Sequence, residues 1–389
     1  MRKILAVVGV ALIVGVFFVF LASEKKGNWE PGRPLAKEDV KIGILYLTDV
    51  LGETSGYTYA HDRGIRDMQK SIGLRDNQIL RKVGISDSDL PATEQAMREC
   101  IAAGANIIIA TAEGYATVAQ KLAGEFPQVV FAQLYADARN GSNLTSYFGR
   151  VYQARYLSGI IAGLRSATGK IGYVAAMGME NTQVTSGLNA FALGVEKVNP
   201  KAEILVKVTH RWVHPEAEFE AARSLIAAGC DVIAQHCDTP NPQLAAQSSG
   251  ERGIWGIGYN SDMRKDAKTV ITSVVWHWDV YYTGLVAGVI DGAFSTAPYL
   301  GGLREGIVGL TPFNESLMPA GAAEALKEAR KSIESGAFAI FEGELESNDG
   351  RVFGVPGQRF ADAEISGGIN WYYRNVAELT SPARPAAGP

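Results

Sequence analysis

The runs "KIGILYL" (41–47) and "KIGYVAAM" (170–177) decide the fold. Each is a short, β-rich apolar segment, and each opens the same rhythm. The first is followed by a helical stretch near 57–72, "RKVGIS" (81–86), a helix near 91–103, "NIIIATA" (106–112), a helix near 115–125 and "QVVFAQL" (128–134). The second is followed by a helix near 182–197, "AEILVKVTH" (202–210), a helix near 215–228, "CDVIAQHC" (230–237), a helix near 240–249 and "GIWGIGY" (253–259). Short apolar runs alternating with amphipathic segments indicate βαβ units and a parallel sheet. "TVITSVV" (269–275) adds a strand, and helices near 279–293 and 317–335 come after it. The chain therefore reads as α/β with two lobes, each a parallel sheet flanked by helices.

Composition agrees. The chain has 389 residues, 47% hydrophobic and 20% charged, with a net charge of −4. That length suits two domains, each with its own core. No long basic block is present, which argues against nucleic acid as a partner. The basic start Met1-Arg2-Lys3 precedes an uncharged apolar run over 4–22, and Glu24-Lys25-Lys26 closes it. This pattern targets a chain for export, as a cleaved signal peptide or a retained N-terminal membrane anchor. Residues 23–39 form a polar linker, and no Cys follows the apolar run to carry a lipid. The three Cys residues, Cys100, Cys230 and Cys237, do not make a disulfide framework. If 231–236 is a strand, it holds Cys230 and Cys237 roughly 20 Å apart. All three are read as buried small hydrophobes.

In open parallel sheets, ligands sit beyond the carboxyl ends of the strands. Two lobes facing each other place both sets of ends around one cleft, and domain interfaces favour pockets. The segments after the strands supply Tyr57, Glu113 and Tyr115, Asn181, Trp212, Asp238 and Asn260. The densest is "VVWHWDVYY" (274–282), with four aromatic rings, a His and an Asp at the mouth of the expected cleft. Of its two tryptophans, Trp278, near the helix start, is favoured as a ligand platform over Trp276. Tyr281 and Tyr282 read as helix residues packed on a sheet. Tyr57, Tyr115 and Trp212 suit either cleft lining or lobe packing, and Asp238 either a ligand contact or a helix N-cap.

Catalysis and metal binding find little support. His210 and His214 straddle a strand end before Pro215, and His236 with Asp238 gives too few ligands for a metal site. There is no Gly-x-Ser-x-Gly elbow. "GLRSATGK" (163–170) is one residue too long for a P-loop and precedes a strand, so it reads as a helix stop and turn. No cofactor and no metal are expected.

Several stretches together resemble the basic membrane protein (BMP) family, the substrate-binding proteins of purine-type ABC transporters. They are "GYTYAHDRGI" (56–65), "YLSGIIAGLRSATGKIGYVAAM" (156–177), "GLNAFALGVEKVNP" (187–200), "GCDVIAQHCDT" (229–239), "GIGYNSDM" (256–263), "ITSVVWHWDVYY" (271–282) and "GINWYYRNV" (368–376). The resemblance runs from about 41 to 375 and implies the two-lobed type I periplasmic-binding-protein fold with three crossovers. On that pattern lobe 1 comprises 40–150 and 276–300, and lobe 2 comprises 151–275 and 301–345. A C-terminal extension (346–380) and a disordered tail (381–389) follow. Nucleoside-binding members carry an Asp in a "GxDxD" turn for the ribose and a Lys after the crossing strand. Here Asn260 and Trp276 stand at those places, and Gly56-Tyr57 replaces a Phe-Asn. These departures bring the chain closer to the branch implied to bind free purine bases such as adenine or hypoxanthine.

The resulting expectation is a monomeric, exported, non-enzymatic binding protein that captures a purine-like solute, a nucleobase in preference to a nucleoside, and delivers it to ABC permease subunits. Tyr57, Tyr115, Trp212 and Trp278 would stack on the ligand, and Asp238 and Asn260 would read its edge. The alternative is a sensor for a purine or sugar, held in the membrane by residues 4–22.

Overall fold

The computed structural model describes residues 29–50, 55–135, 138–249 and 253–379. The apolar run 4–22 and the tail 381–389 lie outside these residues. Among the described residues, no helix is long and apolar enough to cross a membrane.

The first body contains β1 (Ile42–Leu45), α1 (Tyr57–Ile72), β2 (Ile79–Lys82), α2 (Leu90–Ala102), β3 (Ile107–Ala110), α3 (Ala116–Glu125), β4 (Val130–Leu134) and β5 (Leu144–Gly149). The chain then crosses into α4 (Val151–Arg165), β6 (Lys170–Ala175), α5 (Thr182–Val198), β7 (Glu203–Val208), α6 (Pro215–Ala227), β8 (Val232–His236), α7 (Asn241–Ser248), β9 (Trp255–Asn260) and β10 (Val270–Trp276). It returns through α8 (Trp278–Asp291) and β11 (Tyr299–Gly301), then crosses again to β12 (Val308–Leu310) and α9 (Ala322–Glu334). The last elements are a hairpin of β13 (Leu345–Glu346) and β14 (Val352–Phe353), α10 (Asp362–Gly368) and β15 (Val376–Glu378).

Two sheets result, ordered β11-β5-β4-β3-β1-β2 and β12-β10-β9-β8-β6-β7-β15. Their cores repeat one winding, and among the described residues the only antiparallel pair in either large sheet is β10 with β12. Central strands β1, β3 and β8 are buried at every residue, as strands covered by helices on both faces must be. This is why β1 and β3 run apolar without alternation, and why Gln235 and His236 at the end of β8 are buried as well. The three crossings fall at Arg150, at His277 and between β11 and β12.

Sequence periodicity did not disclose β5 or α4. From Ala154 to Gly163 every residue of α4 is buried, so the helix has no polar face to mark its period. The stretch 163–170 ends α4 and turns: the Asp231 carboxylate accepts from the Ala167 and Thr168 N–H groups (2.7 and 2.9 Å). Cys100, Cys230 and Cys237 are free and buried, in keeping with their reading as small hydrophobes. The C-terminal segment joins the second body. β15 pairs with β7, and the Asn189 side chain holds the Trp371 carbonyl (2.8 Å) and the Tyr373 N–H (2.9 Å).

Candidate ligand-binding cleft

A cavity of about 500 Å³ lies between the carboxyl ends of the two sheets. The first body contributes Tyr57, Asp87, Glu113, Tyr135 and Phe148 to its wall. The second contributes Asn181, Gln183, Trp212, Asp238, Tyr259 and Trp276. The two bodies touch at its rim. The Gly56 N–H donates to Ser261 Oγ (3.2 Å), and a Cβ on Gly56 would stand 2.6 Å from the Asp238 carbonyl oxygen. Gly56 also has φ +95, so only glycine fits both its conformation and this approach.

Tyr57, Trp212 and Asp238 thus share one cavity, as the sequence reading had them. The other three candidates stand elsewhere. Asn260 is buried behind the wall, with φ +64, and its amide Nδ2 donates to Asp238 Oδ1 (2.8 Å). It therefore acts on the cavity through Asp238. Tyr115 is fully buried among α3 and β3 residues, and its hydroxyl donates to the Ile85 carbonyl (2.5 Å). A single 3-10 turn, Glu113–Tyr115, sends Glu113 to the cavity and Tyr115 to the core. Trp278 is also fully buried and does not line the cavity. Strand β10 runs on to Trp276, so that ring reaches the wall, and Trp278 opens α8 one layer behind it.

Tyr135, Phe148 and Tyr259 were not among the sequence candidates. Tyr135 directly follows "QVVFAQL" and Tyr259 ends "GIWGIGY", so the strand-end rule could have found both. Phe148 sits on β5, which carried no clear signal.

The aromatic residues of "VVWHWDVYY" build a buried pile behind the cavity. Trp276 stacks on Trp278 (centroids 4.5 Å, planes 9° apart), and Trp278 stacks on His61 (4.4 Å, 12°). His61 Nδ1 meets the Tyr282 hydroxyl at 2.6 Å, and that hydroxyl lies 3.2 Å from the hydroxyl of Tyr147. Tyr57 meets the edge of His61 (4.6 Å, 74°), and its own hydroxyl donates to the Thr111 carbonyl. Two cavity rings, Trp276 and Tyr57, are therefore held by one buried pile. Helix α1 can approach α8 this closely because residue 64 is glycine; a Cβ there would be 2.6 Å from the Trp278 Cβ. Burial holds the His61 imidazole well below its usual pKa, so it stays neutral.

The second wall is supported by polar groups. The Arg155 guanidinium lies 4.1 Å from the Tyr259 ring centroid, and its Nη1 donates to the Gln235 carbonyl (2.6 Å). The Trp276 indole N–H donates to the Tyr259 hydroxyl (3.3 Å). Burial pushes the Tyr259 phenol up to about 12, against the pull of Arg155. The loop carrying Asp238 is gripped from beneath. Gln235 Nε2 donates to the Cys237 and Thr239 carbonyls (3.0 and 2.8 Å), and buried Glu218 accepts from the Thr239 hydroxyl (2.5 Å). This arrangement presents flat ring faces and a fixed carboxylate. Among the described residues of the wall, none is arranged as a nucleophile with a base.

Comparisons with known proteins bear on the same region. Residues 44–337 match the family model described as Bmp, ABC transporter substrate-binding protein PnrA-like. The chain is 31% identical over 346 residues to a purine-binding protein of Brucella abortus, covering 89% of this chain and 95% of that one. It is 27% identical to a putative ABC transporter glucose-binding protein of Haloferax volcanii, covering 86% and 81%. A solved solute-binding protein from Conexibacter woesei superimposes with a TM-score of 0.65 at 20% identity, over 78% of this chain and all of that one, a likeness of fold.

Proposed function

Because the chain belongs to the Bmp, PnrA-like family of ABC transporter substrate-binding proteins, which are binding proteins and not enzymes, we propose that its cleft captures a purine-like solute, a nucleobase in preference to a nucleoside. The protein works outside the cytoplasmic membrane and hands its guest to ABC permease subunits as a monomer. The observation that carries this reading is that rings from both bodies line one cavity: Tyr57, Tyr135 and Phe148 from the first, and Trp212, Tyr259 and Trp276 from the second. A flat heterocycle buries both faces between such rings, and each stacked pair adds about 0.5–1.5 kcal/mol beyond area burial. Asp238, held by Asn260, is the acceptor for ring or exocyclic N–H groups. The name of the Brucella relative supports the same class of guest.

Closure of the two bodies traps the guest, and the Gly56–Ser261 contact is the seam of the closed form. A sugar is the second reading, favoured by the name of the Haloferax relative and by the pairing of aromatic and carboxylate groups in the wall. The deciding experiment is a thermal-shift screen with adenine, hypoxanthine, inosine and glucose. A ligand present at about 100 times its Kd stabilises the native state by about 2.7 kcal/mol. Adenine or hypoxanthine should raise Tm most, and Trp276→Ala should remove most of that rise. A response to glucose alone would sink the purine reading.

A further inference from the structure

We propose that the cleft selects its guest by charge, accepting neutral and cationic heteroaromatic compounds and rejecting their anionic derivatives. This inference rests on the purine reading above and narrows it. Three carboxylates line the cavity: Asp87 and Glu113 from the first body and Asp238 from the second. Among the described lining residues there is no Lys, Arg or His to balance them. Asn260, a neutral amide, donates its Nδ2 to Asp238 Oδ1 (2.8 Å). The buried cation of the second body, Arg155, stands behind the Tyr259 ring and gives its Nη1 to the Gln235 carbonyl, so it does not face the guest.

The aromatic walls act with the same sign. A ring face carries negative quadrupole density, which attracts cations and N–H edges and repels anions. Rings and carboxylates come from both bodies, so the charged groups that a guest meets in the described lining are negative on either side. A cleft lined by one sign focuses that field. The crowding is already felt within the protein, where partial burial and then the neighbouring Asp87 raise the Glu113 carboxyl above its ordinary pKa. Rejection of one ligand class by placed repulsion is a common route to specificity. The excluded class includes phosphorylated and carboxylated purines, and the accepted class includes amino-substituted ones.

The test uses three adenines of similar size substituted at N9: 9-(2-aminoethyl)adenine, a cation; 9-(2-hydroxyethyl)adenine, neutral; and 9-(carboxymethyl)adenine, an anion. Calorimetric Kd values should fall in that order of tightness at low ionic strength, with cation and anion separated by at least about tenfold. Raising the salt to about 0.5 M should shrink the gap severalfold, because screening weakens charge effects and leaves shape untouched. The Asp87→Asn/Glu113→Gln double variant should shrink it likewise at low salt. If that variant does not fold, the salt response of the native protein decides. Equal affinities for cation and anion, or a gap that salt does not move, would overturn charge selection. Failure of adenine itself to bind would instead remove the purine reading on which it rests.

Discussion

The two sides of the cleft hold their rings upright by opposite means. Behind Trp276 and Tyr57 lies a neutral pile of Trp278, His61, Tyr282 and Tyr147, joined by stacking and hydroxyl contacts. Behind Tyr259 lies a buried charge, Arg155, whose guanidinium spans the Tyr259 ring and the end of β8. The first assembly also crosses bodies: Trp276 closes β10 of the second sheet, while Trp278 and His61 sit on helices of the first. The second assembly stays within one body. The difference teaches that rings at a hinge are fixed by contact area, which survives a small rotation. Rings fixed to one sheet can depend on a directed charge, which needs rigid surroundings.

The sharpest way to break this comparison is to remove the middle of the pile. Trp278→Ala should cost about 3–5 kcal/mol of stability, the usual price of a buried large-to-small change. Urea unfolding measures it, and a loss below about 1 kcal/mol would mean that the pile is not a structural unit. Acid probes both assemblies at once. Burial lowers the pKa of His61, and burial followed by Arg155 lowers that of His236. Below about pH 6.5 the unfolded chain binds protons at both histidines while the native state does not. Stability should therefore fall as pH drops below that value, by up to about 1.4 kcal/mol per unit for each histidine. Melting between pH 7 and 5 reads the sum, and Arg155→Met should reduce only the His236 share. A third change acts on the seam. Gly56→Ala places a side chain at φ +95 and against the Asp238 carbonyl, so closure should cost about 1–2 kcal/mol more and the Kd should rise about tenfold. An unchanged Kd would show that the Gly56–Ser261 contact is not part of the bound form.

The strand rhythm made the two-sheet winding legible because strands such as β1 and β3 are uniformly apolar and β8 opens on apolar residues. The strand-end rule then led to Tyr57, Trp212 and Asp238. The misplacements have local causes. Trp276 and not Trp278 lines the cavity because the end of β10 lies only two residues from the start of α8, and nothing in "WHW" marks where extended backbone gives way to helix. Tyr115 and Glu113 exchange places through one turn of 3-10 helix. Tyr135 (φ +66) and Asn260 (φ +64) turn left-handed at strand ends, and side chains other than glycine seldom announce such a backbone. Helix α4, buried at every residue from Ala154 to Gly163, lacks the polar face that periodicity needs.

The smallest expected effect concerns how the C-terminal segment joins the two sides. The Ser366 carbonyl in α10 accepts from the Tyr135 hydroxyl of the first body (3.3 Å) and from the Thr182 hydroxyl of the second. The segment is fastened to the second body through β15 and Asn189, and at the first crossing the Arg150 guanidinium holds Asp362 (Nη2–Oδ2 2.8 Å). Tyr135 therefore links a cavity ring to a strap carried by the opposite body. Tyr135→Phe keeps the ring against Phe148 (4.7 Å) and leaves Ser366 its bond to Thr182, so no buried acceptor is stranded. The lost bond is long, so its contribution belongs near the low end of the usual range, about 0.5 kcal/mol. Unfolding stability should be nearly unchanged, while the ligand-free protein opens more often and the Kd rises about twofold. Small-angle scattering of the ligand-free variant should give a larger radius of gyration than the parent. Identical scattering and an identical Kd would mean that the strap rides on the second body alone and leaves closure to the cavity rings and the Gly56 seam.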